Sequence, residues 1–346
     1  MTPLQIDGAY GEGGGQLVRT AVALAALTGT RIRVENIRAR RDKPGLAAQH
    51  LTAVRAVATL CDAGVSGLEL RSQQIGFAPG ALRGGEFRFD VGTAGSITLV
   101  LQAVLPALIA GRERAHVVVT GGTDVRWSPP VDYLREVMLP LIGRMGASVS
   151  LEVSRRGYYP RGGGEVAVSV TPAPLQPLQL ADSRPLQSLH TRVHVSNLPL
   201  HIAERMRDAV TARLEPVAKR PVAVEMLSFG PEAAVGPGGA VVAWARTKHT
   251  VLGAGRVAER GIRAETLGDA VGRSLATDLT AGVTLDLHAS DQLLVYLALA
   301  GGDSLFRTHR LSSHARTAMW LIEQFLPVGF EVKSEGKLVT VTVHSQ

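Results

Sequence analysis

Asp7-Gly-Ala-Tyr-Gly-Glu-Gly-Gly-Gly-Gln16, followed at once by Leu17-Val-Arg-Thr-Ala-Val-Ala-Leu-Ala-Ala-Leu-Thr28, is the stretch from which the fold is read. A glycine-rich loop opens onto an apolar helix, and the charged side chains near the junction are Asp7, Glu12 and Arg19. Glycines let a backbone approach a ligand closely, and a helix start offers free N–H groups and a positive dipole end to an anion. Glu12 suits a divalent cation there, and Arg19, one turn into the helix, suits a phosphate. The plain alternative is a flexible turn ahead of a core helix. The spacing is neither the Walker loop nor the dinucleotide fingerprint, so the rest of the chain decides.

A chain of 346 residues is long enough for a large core and more than one domain. Hydrophobic residues make up 45%, with no apolar run long enough to cross a membrane. Met1 to Gly8 lacks the basic-then-apolar pattern of a signal peptide. The single cysteine, Cys61, excludes an intramolecular disulfide framework and a Cys-cluster metal site. It lies in an apolar helix and is expected in the core, and the expected compartment is the cytoplasm. A net charge of +7 and a pI near 10.0 point to a polyanionic partner. Aromatics are only 4%, which favours phosphate contacts over stacked bases.

The parts then recur. After the first loop and helix come a strand near Arg31 to Ile37 and the basic loop Arg38-Ala-Arg-Arg-Asp-Lys-Pro-Gly45. A helix over Ala47–Cys61 and short strands at Gly67–Leu70 and Glu86–Val91 follow. Gly92-Thr-Ala-Gly-Ser96 opens a second apolar helix, Ile97–Ala110, and a strand at His116–Thr120 leads into Gly121-Gly-Thr-Asp-Val-Arg-Trp-Ser-Pro-Pro130. A helix over Val131–Met145 and strands at Ser148–Val153 and Glu165–Val170 close that unit. The third copy opens at Ser290-Asp-Gln292, with a helix Leu293–Ala300, a strand Ser304–Thr308, a helix His314–Phe325 and two final strands. The expected fold is α/β (α+β): three βαβαβ-like units, each with two helices on a four-stranded sheet. Residues 1–183 and 279–346 would form this core, interrupted by a small α+β domain over 184–278 that follows the proline-rich Pro172-Ala-Pro-Leu-Gln-Pro177. Equivalent loops of the three units would gather at one site.

Few residues carry chemistry. His309 and His314 lie in Arg307-Thr-His-Arg-Leu-Ser-Ser-His-Ala-Arg316, and His314 falls in a first helical turn, where an imidazole stays neutral and nucleophilic. Arg38, Arg40, Arg41 and Lys43 crowd one loop offset only by Asp42, and arginine favours bidentate phosphate contacts. Asp291 reads either as a helix cap or, with Gln292, as an acceptor and amide facing a ligand. Gln102 is an amide in an apolar helix and must find partners. His201, Glu204, Arg205 and Arg207 read as a solvated helix face.

At these residues a family resemblance appears. The loop from Asp7 to Gln16, Ile37-Arg-Ala-x-Arg-x-Lys-Pro-Gly-Leu46 with Gln49-His50-Leu-Thr-Ala-Val54, and Gly92-x-Ala-Gly-Ser96 with Leu99-Val-Leu-Gln102 resemble RNA 3'-terminal phosphate cyclase. So do Gly121-Gly-Thr-Asp124, Tyr159-Pro-x-Gly-Gly-Gly164, Asp291-Gln292 and Ser312-x-His314. The motifs run end to end in the family's order, and the insert matches least.

The resemblance implies an ATP-dependent enzyme that turns an RNA 3'-phosphate into a 2',3'-cyclic phosphate through a covalent histidine–AMP and an RNA-adenylate, releasing AMP and diphosphate. It implies His314 as the nucleophile, Glu12 as the contact for Mg²⁺ or Mn²⁺, and Arg19, Arg38, Arg41 and Gln49 around the phosphates and RNA end. Gln102, Pro129, His288, Ala289, Ser290, Asp291 and Gln292 fall at the nucleotide positions. His288 stands where the family often has tyrosine, and Ser313 where cysteine is common. Two other readings stay open: a non-catalytic cyclase-like protein of ribosome assembly, and a transferase acting on small phosphorylated metabolites.

Overall fold

The computed structural model describes residues 2–345. In the first unit β1 (Leu4–Asp7) and β2 (Ile32–Glu35) are parallel neighbours joined by the crossover helix α1 (Gly15–Thr28). Leu17 to Ala26 is nearly all Ala, Val and Leu and is buried there, and Gly29, at φ 70, ends the helix in the left-handed region. Next come α2 (Ala48–Leu60), β3 (Gly64–Ser66) and β4 (Ile75–Ala78), giving a sheet ordered β1-β2-β4-β3. The strand expected at Gly67–Leu70 is a turn. Gly67 is left-handed (φ 70), and pairing resumes only at Ile75.

The expected strand at Glu86–Val91 is real but belongs to the second unit. As β5 (Gly85–Asp90) it pairs in parallel with β6 (Ala115–Gly121), across α3 (Ile97–Ile109). Every residue of α3 except Gln102 is buried, and the Ser96 hydroxyl caps it by accepting from the Leu99 N–H. The next helix has three parts: α4 (Val131–Tyr133), a π-helical stretch Leu134–Met138, and α5 (Leu139–Arg144). The wide turn precedes Pro140, which has no N–H to continue an α-helical ladder. β7 (Ser148–Gly157) and β8 (Gly164–Thr171) complete the order β5-β6-β8-β7.

Inserted after it are β9 (Leu186–Ser196), α6 (His201–Ala218), β10 (Ala223–Phe229), β11 (Ala234–Val235), β12 (Gly238–Thr247), β13 (Val251–Val257) and α7 (Ala264–Ala281). Four of these strands make a sheet β10-β9-β12-β13, while β11 crosses over to pair with β7 as a fifth strand of the second sheet. α7 runs through the expected boundary at 278 to Ala281. β12 alternates strictly: Val241, Ala243 and Ala245 face a core of their own with α6 and α7, whereas Val242 and Trp244 join the core of the three units. Gly253 lets β13 lie against Val137 of the π-helical stretch, where a Cβ would collide.

The third unit comprises α8 (Leu287–Gln292), α9 (Leu294–Leu299), β14 (Ser304–Thr308), α10 (Ser313–Glu323), β15 (Val328–Glu335) and β16 (Leu338–Ser345), with sheet order β14-β16-β15. Its first strand is not where sequence order places it. Leu305 donates to the Leu178 carbonyl and accepts from the Leu180 N–H, both at 2.8 Å, so the end of the proline-rich exit runs parallel to β14. The insert therefore interrupts the third unit between its first strand and first helix. The helix expected to open at Ser290 begins earlier, and its cap is Asp286 rather than Asp291. No helix among the described residues is long and apolar enough to cross a membrane.

Candidate active site

Loops of all three units meet at the N-termini of α1, α3, α8 and α10. Asp7 shapes the glycine loop: its Oδ1 accepts from the Ala9 N–H (3.0 Å) and the Asn36 amide (3.1 Å), which hold its carboxyl below the usual range. Further along, the Glu12 N–H donates to Thr317 Oγ1 on α10 (3.1 Å), and a Cβ on Gly11 would strike that hydroxyl. Glu12 forms an ion pair with Arg41, and its Oε2 is 3.6 Å from His314 Nδ1. His314 is half-exposed in the first turn of α10. Burial first, then Arg19 and Arg41, holds its imidazole below the ordinary value, so the ring is neutral at neutral pH.

Arg19 and Asp291 line a cleft with Gln16, Gln102 and Gln292. Arg19 is 6% exposed, its Nε has no partner, and its terminal nitrogen reaches Gln102 Oε1 only at 3.5 Å. Burial lowers it to about 10, which leaves it charged. A buried guanidinium this poorly paired is suited to an anionic ligand. Burial pushes Asp291 up to about 7, against the hydroxyl of Ser312, which donates to its Oδ2 at 3.2 Å. The same hydroxyl accepts from the Ala315 N–H, so Ser312 couples Asp291 to the helix start that carries His314.

Arg38 sits at φ 53 and donates to the Gly45 carbonyl (2.6 Å), while Gln49 Oε1 accepts from the Ser96 N–H at the start of α3 (3.2 Å), leaving the Gln49 amide donors free. The motif Gln49-His50-Leu-Thr-Ala-Val54 does not by itself show what His50 does. It is buried, its Nδ1 accepts from the Ala47 N–H (3.0 Å), and its Nε2 lies against Gly15. Burial, Arg19 and Arg38 lower it to about 3, so it is neutral with the proton on Nε2.

The α8 segment is fixed by Asp286, which accepts from the N–H groups of His288 and Ala289, the Tyr133 hydroxyl (2.7 Å) and the Gly253 N–H (3.0 Å). His288 meets the Tyr133 ring edge-on at 6.1 Å, while Ala289 and Ser290 are wholly buried. The Pro129 carbonyl accepts from Thr98 Oγ1 (3.0 Å), tying the loop after β6 to α3.

Other candidates sit elsewhere. His309 Nε2 lies 3.2 Å from Asp278 Oδ1, away from the cleft. Asp124, Asp132 and His194 have metal-ligand spacing, but the Arg156 guanidinium lies among them, 3.1 Å from Asp124 Oδ2 and 2.8 Å from Asp132 Oδ2. With Arg135 and Arg192 also on Asp132, arginines already occupy the positions a metal would take. Thr317 and Asp286 are support residues that the sequence does not single out, Asp286 offering only an ordinary helix-capping signal and Thr317 none.

A model of a family described as RNA 3'-terminal phosphate cyclase matches residues 10–332. The RNA 3'-terminal phosphate cyclase of Nitrosospira multiformis is 55% identical over 338 residues, covering 97% of this chain and 95% of that one. That of Methanopyrus kandleri is 44% identical over 351 residues, covering 100% of both. Among solved structures, the enolpyruvyl transferase NikO from Streptomyces tendae aligns with TM-score 0.40 and 12% identity, over 100% of this chain and 48% of that one.

Proposed function

This chain belongs to the RNA 3'-terminal phosphate cyclase family, and we propose that it converts an RNA 3'-terminal phosphate to a 2',3'-cyclic phosphate, with ATP as the second substrate. The observation that carries the mechanism is a neutral His314 set between Glu12, Arg41 and Arg19. Nδ1 is enclosed on the Glu12 side. At 3.6 Å the two do not hydrogen-bond, but the carboxylate favours the proton on Nδ1 and leaves the Nε2 lone pair free.

In the first step Nε2 attacks the α-phosphorus of ATP. A P–N bond forms, the P–O bond to diphosphate breaks, and diphosphate leaves. An oxygen of the RNA 3'-phosphate then displaces His314, giving a mixed anhydride with AMP. Finally the neighbouring 2'-hydroxyl attacks the activated phosphate, loses its proton and expels AMP. Arg19, Arg38, Arg41 and the Gln49 amide offer donors to the phosphates, and His50 adds an Nε2–H beside the α1 N-terminus. Gln102, Pro129, His288, Asp291 and Gln292 would hold the nucleoside.

Glu12 fits a divalent cation in the way Mg²⁺ is commonly held, by one carboxylate together with substrate phosphate oxygens. Bound there, Mg²⁺ or Mn²⁺ would offset phosphate charge, and Glu12 would share it with or release Arg41. We treat residues 1–183 and 279–346 as the catalytic core and 184–278 as the insert, in a cytoplasmic protein.

The test is a 3'-phosphorylated oligoribonucleotide incubated with the protein and ATP. Resistance of the end to phosphatase, and release of AMP and diphosphate, support the proposal. A phosphatase-sensitive end after complete ATP-dependent adenylylation of the protein contradicts it.

A further inference from the structure

Apart from Pro129, two of the motifs have no role in this chemistry: the loop Gly121 to Pro130 and the loop Tyr158 to Gly164. Both carry an exposed aromatic ring. Trp127 is 90% exposed and Tyr159 74%, in a chain with only 4% aromatics. The remaining exposed aromatic among the described residues, Tyr10, is already stacked on Trp320 at 3.8 Å.

The two loops form one ledge. Gly157 accepts from the Thr123 N–H at 2.9 Å, and Asp124 bridges to Tyr158. Trp127 has φ 65, a conformation a bulky side chain adopts only when its surroundings impose it. Those surroundings are on both sides. Ser128 donates to the Val125 carbonyl (2.9 Å), and Arg126 pairs with Glu259 (2.8 Å) while its guanidinium lies 5.5 Å from the Trp127 ring. The hydrophobic effect would withdraw an indole of this size from water. Here the backbone holds it out.

The ledge adjoins the phosphate site. Gly162 fits against the backbone of Thr93 and Ala94 with no room for a Cβ, and the following Ser96 N–H is bonded to Gln49. Arg155 and Arg161 stand exposed on the same loop or at its foot. Exposed rings beside arginines, continuous with a phosphate-binding cluster, match the chemistry of a single-stranded polynucleotide. We propose that Trp127 and Tyr159 are a stacking platform for bases of the RNA strand upstream of its reacting 3' end. This rests on the RNA-end reading above, and it departs from the expectation from composition that phosphate contacts are favoured over stacked bases.

The test measures equilibrium binding, without ATP, of a 3'-phosphorylated oligoribonucleotide and of an abasic oligomer with the same phosphates, to wild type, Trp127→Ala and Tyr159→Ala. The platform predicts roughly 10-fold weaker binding of the base-bearing strand by each variant. It also predicts unchanged binding of the abasic strand and an unchanged ATP requirement for adenylylation of the protein. Equal binding of the base-bearing strand by variants and wild type overturns the platform. So does a loss confined to ATP affinity, which would make Trp127 a nucleotide contact, or a change confined to sedimentation, which would make the ledge a contact between copies. Base-dependent binding without any cyclic-phosphate product leaves the platform standing and removes the cyclase reading instead.

Discussion

The Glu12 N–H and Thr317 Oγ1 are 3.1 Å apart and 305 positions apart in sequence. Thr317 lies one helical turn beyond His314 on α10 and itself donates to the Ser313 carbonyl at 2.8 Å. The glycine loop of the first unit and the helix that carries His314 in the third are thus tied to each other. Thr317→Val keeps the shape and removes the bond. It should cost about 1 kcal/mol of stability, and adenylylation should fall about 10-fold as the Glu12 carboxylate loses its register, with the Arg41 and His314 side chains intact. Single-turnover labelling beside a denaturant melt measures both.

The His314 imidazole should titrate below its ordinary value of 6.5, because burial and the Arg19 and Arg41 charges disfavour the imidazolium. Removing one of those charges with Arg41→Gln should raise the midpoint. NMR titration of the labelled ring reads this without needing activity, and a midpoint unmoved by the substitution would leave burial and Arg19 as its causes.

Gly14 has ordinary extended backbone (φ −101), so an alanine there meets no backbone strain. Its Cβ would strike the Glu12 carboxylate, the far end of a side chain. Gly14→Ala should therefore fold normally while its metal requirement for adenylylation shifts to higher concentration. Gly15→Ala meets the buried His50 ring instead and should destabilise by about 1–3 kcal/mol. Metal titrations and thermal melts of the pair separate the two effects.

Asp291 is raised from 3.8 to about 7 in the folded chain. Such a group favours folding below pH 3.8, and that contribution is lost as pH rises through 7. Asp291→Asn should accordingly gain stability over wild type, with a difference that grows between pH 4 and 7 and is flat above. Melts across that range, without ATP, test it.

Arg156 pairs with the buried carboxylates of Asp124 and Asp132, and Arg156→Met leaves Asp132 its Arg135 and Arg192 partners but strips Asp124 of its arginine. The expected loss at neutral pH is about 3–5 kcal/mol. A denaturant midpoint equal to wild type at neutral pH would mean that another cation moves in.

The helices of the site were legible because their sequences leave little choice. α1 and α3 are almost unbroken apolar runs opened by Gly and Ser, and Gly29 marks a helix end. The first strand of the third unit was hidden because Leu178 to Leu180 sits in a proline-rich stretch and finds its partner, Leu305, only beyond the insert. The cap of α8 was misplaced because Asp286 and Asp291 both suit a helix start, and only the four bonds to Asp286 decide. Residue identity pointed to His314, Glu12 and the arginines, but not to the Arg41 partner of Glu12 or to the neutral His50 facing Gly15. Those depend on contacts across units. Nothing in composition shows that Trp127 stands in solvent.

The central claim is that His314 takes AMP from ATP. Purified protein is mixed with α-labelled ATP and Mg²⁺ or Mn²⁺, without RNA, and denatured, with His314→Ala in parallel. Label that stays on the wild type, is absent from the variant and is released by acid as a P–N bond should be is the predicted result. Equal label on both proteins would place the nucleophile elsewhere and contradict the account.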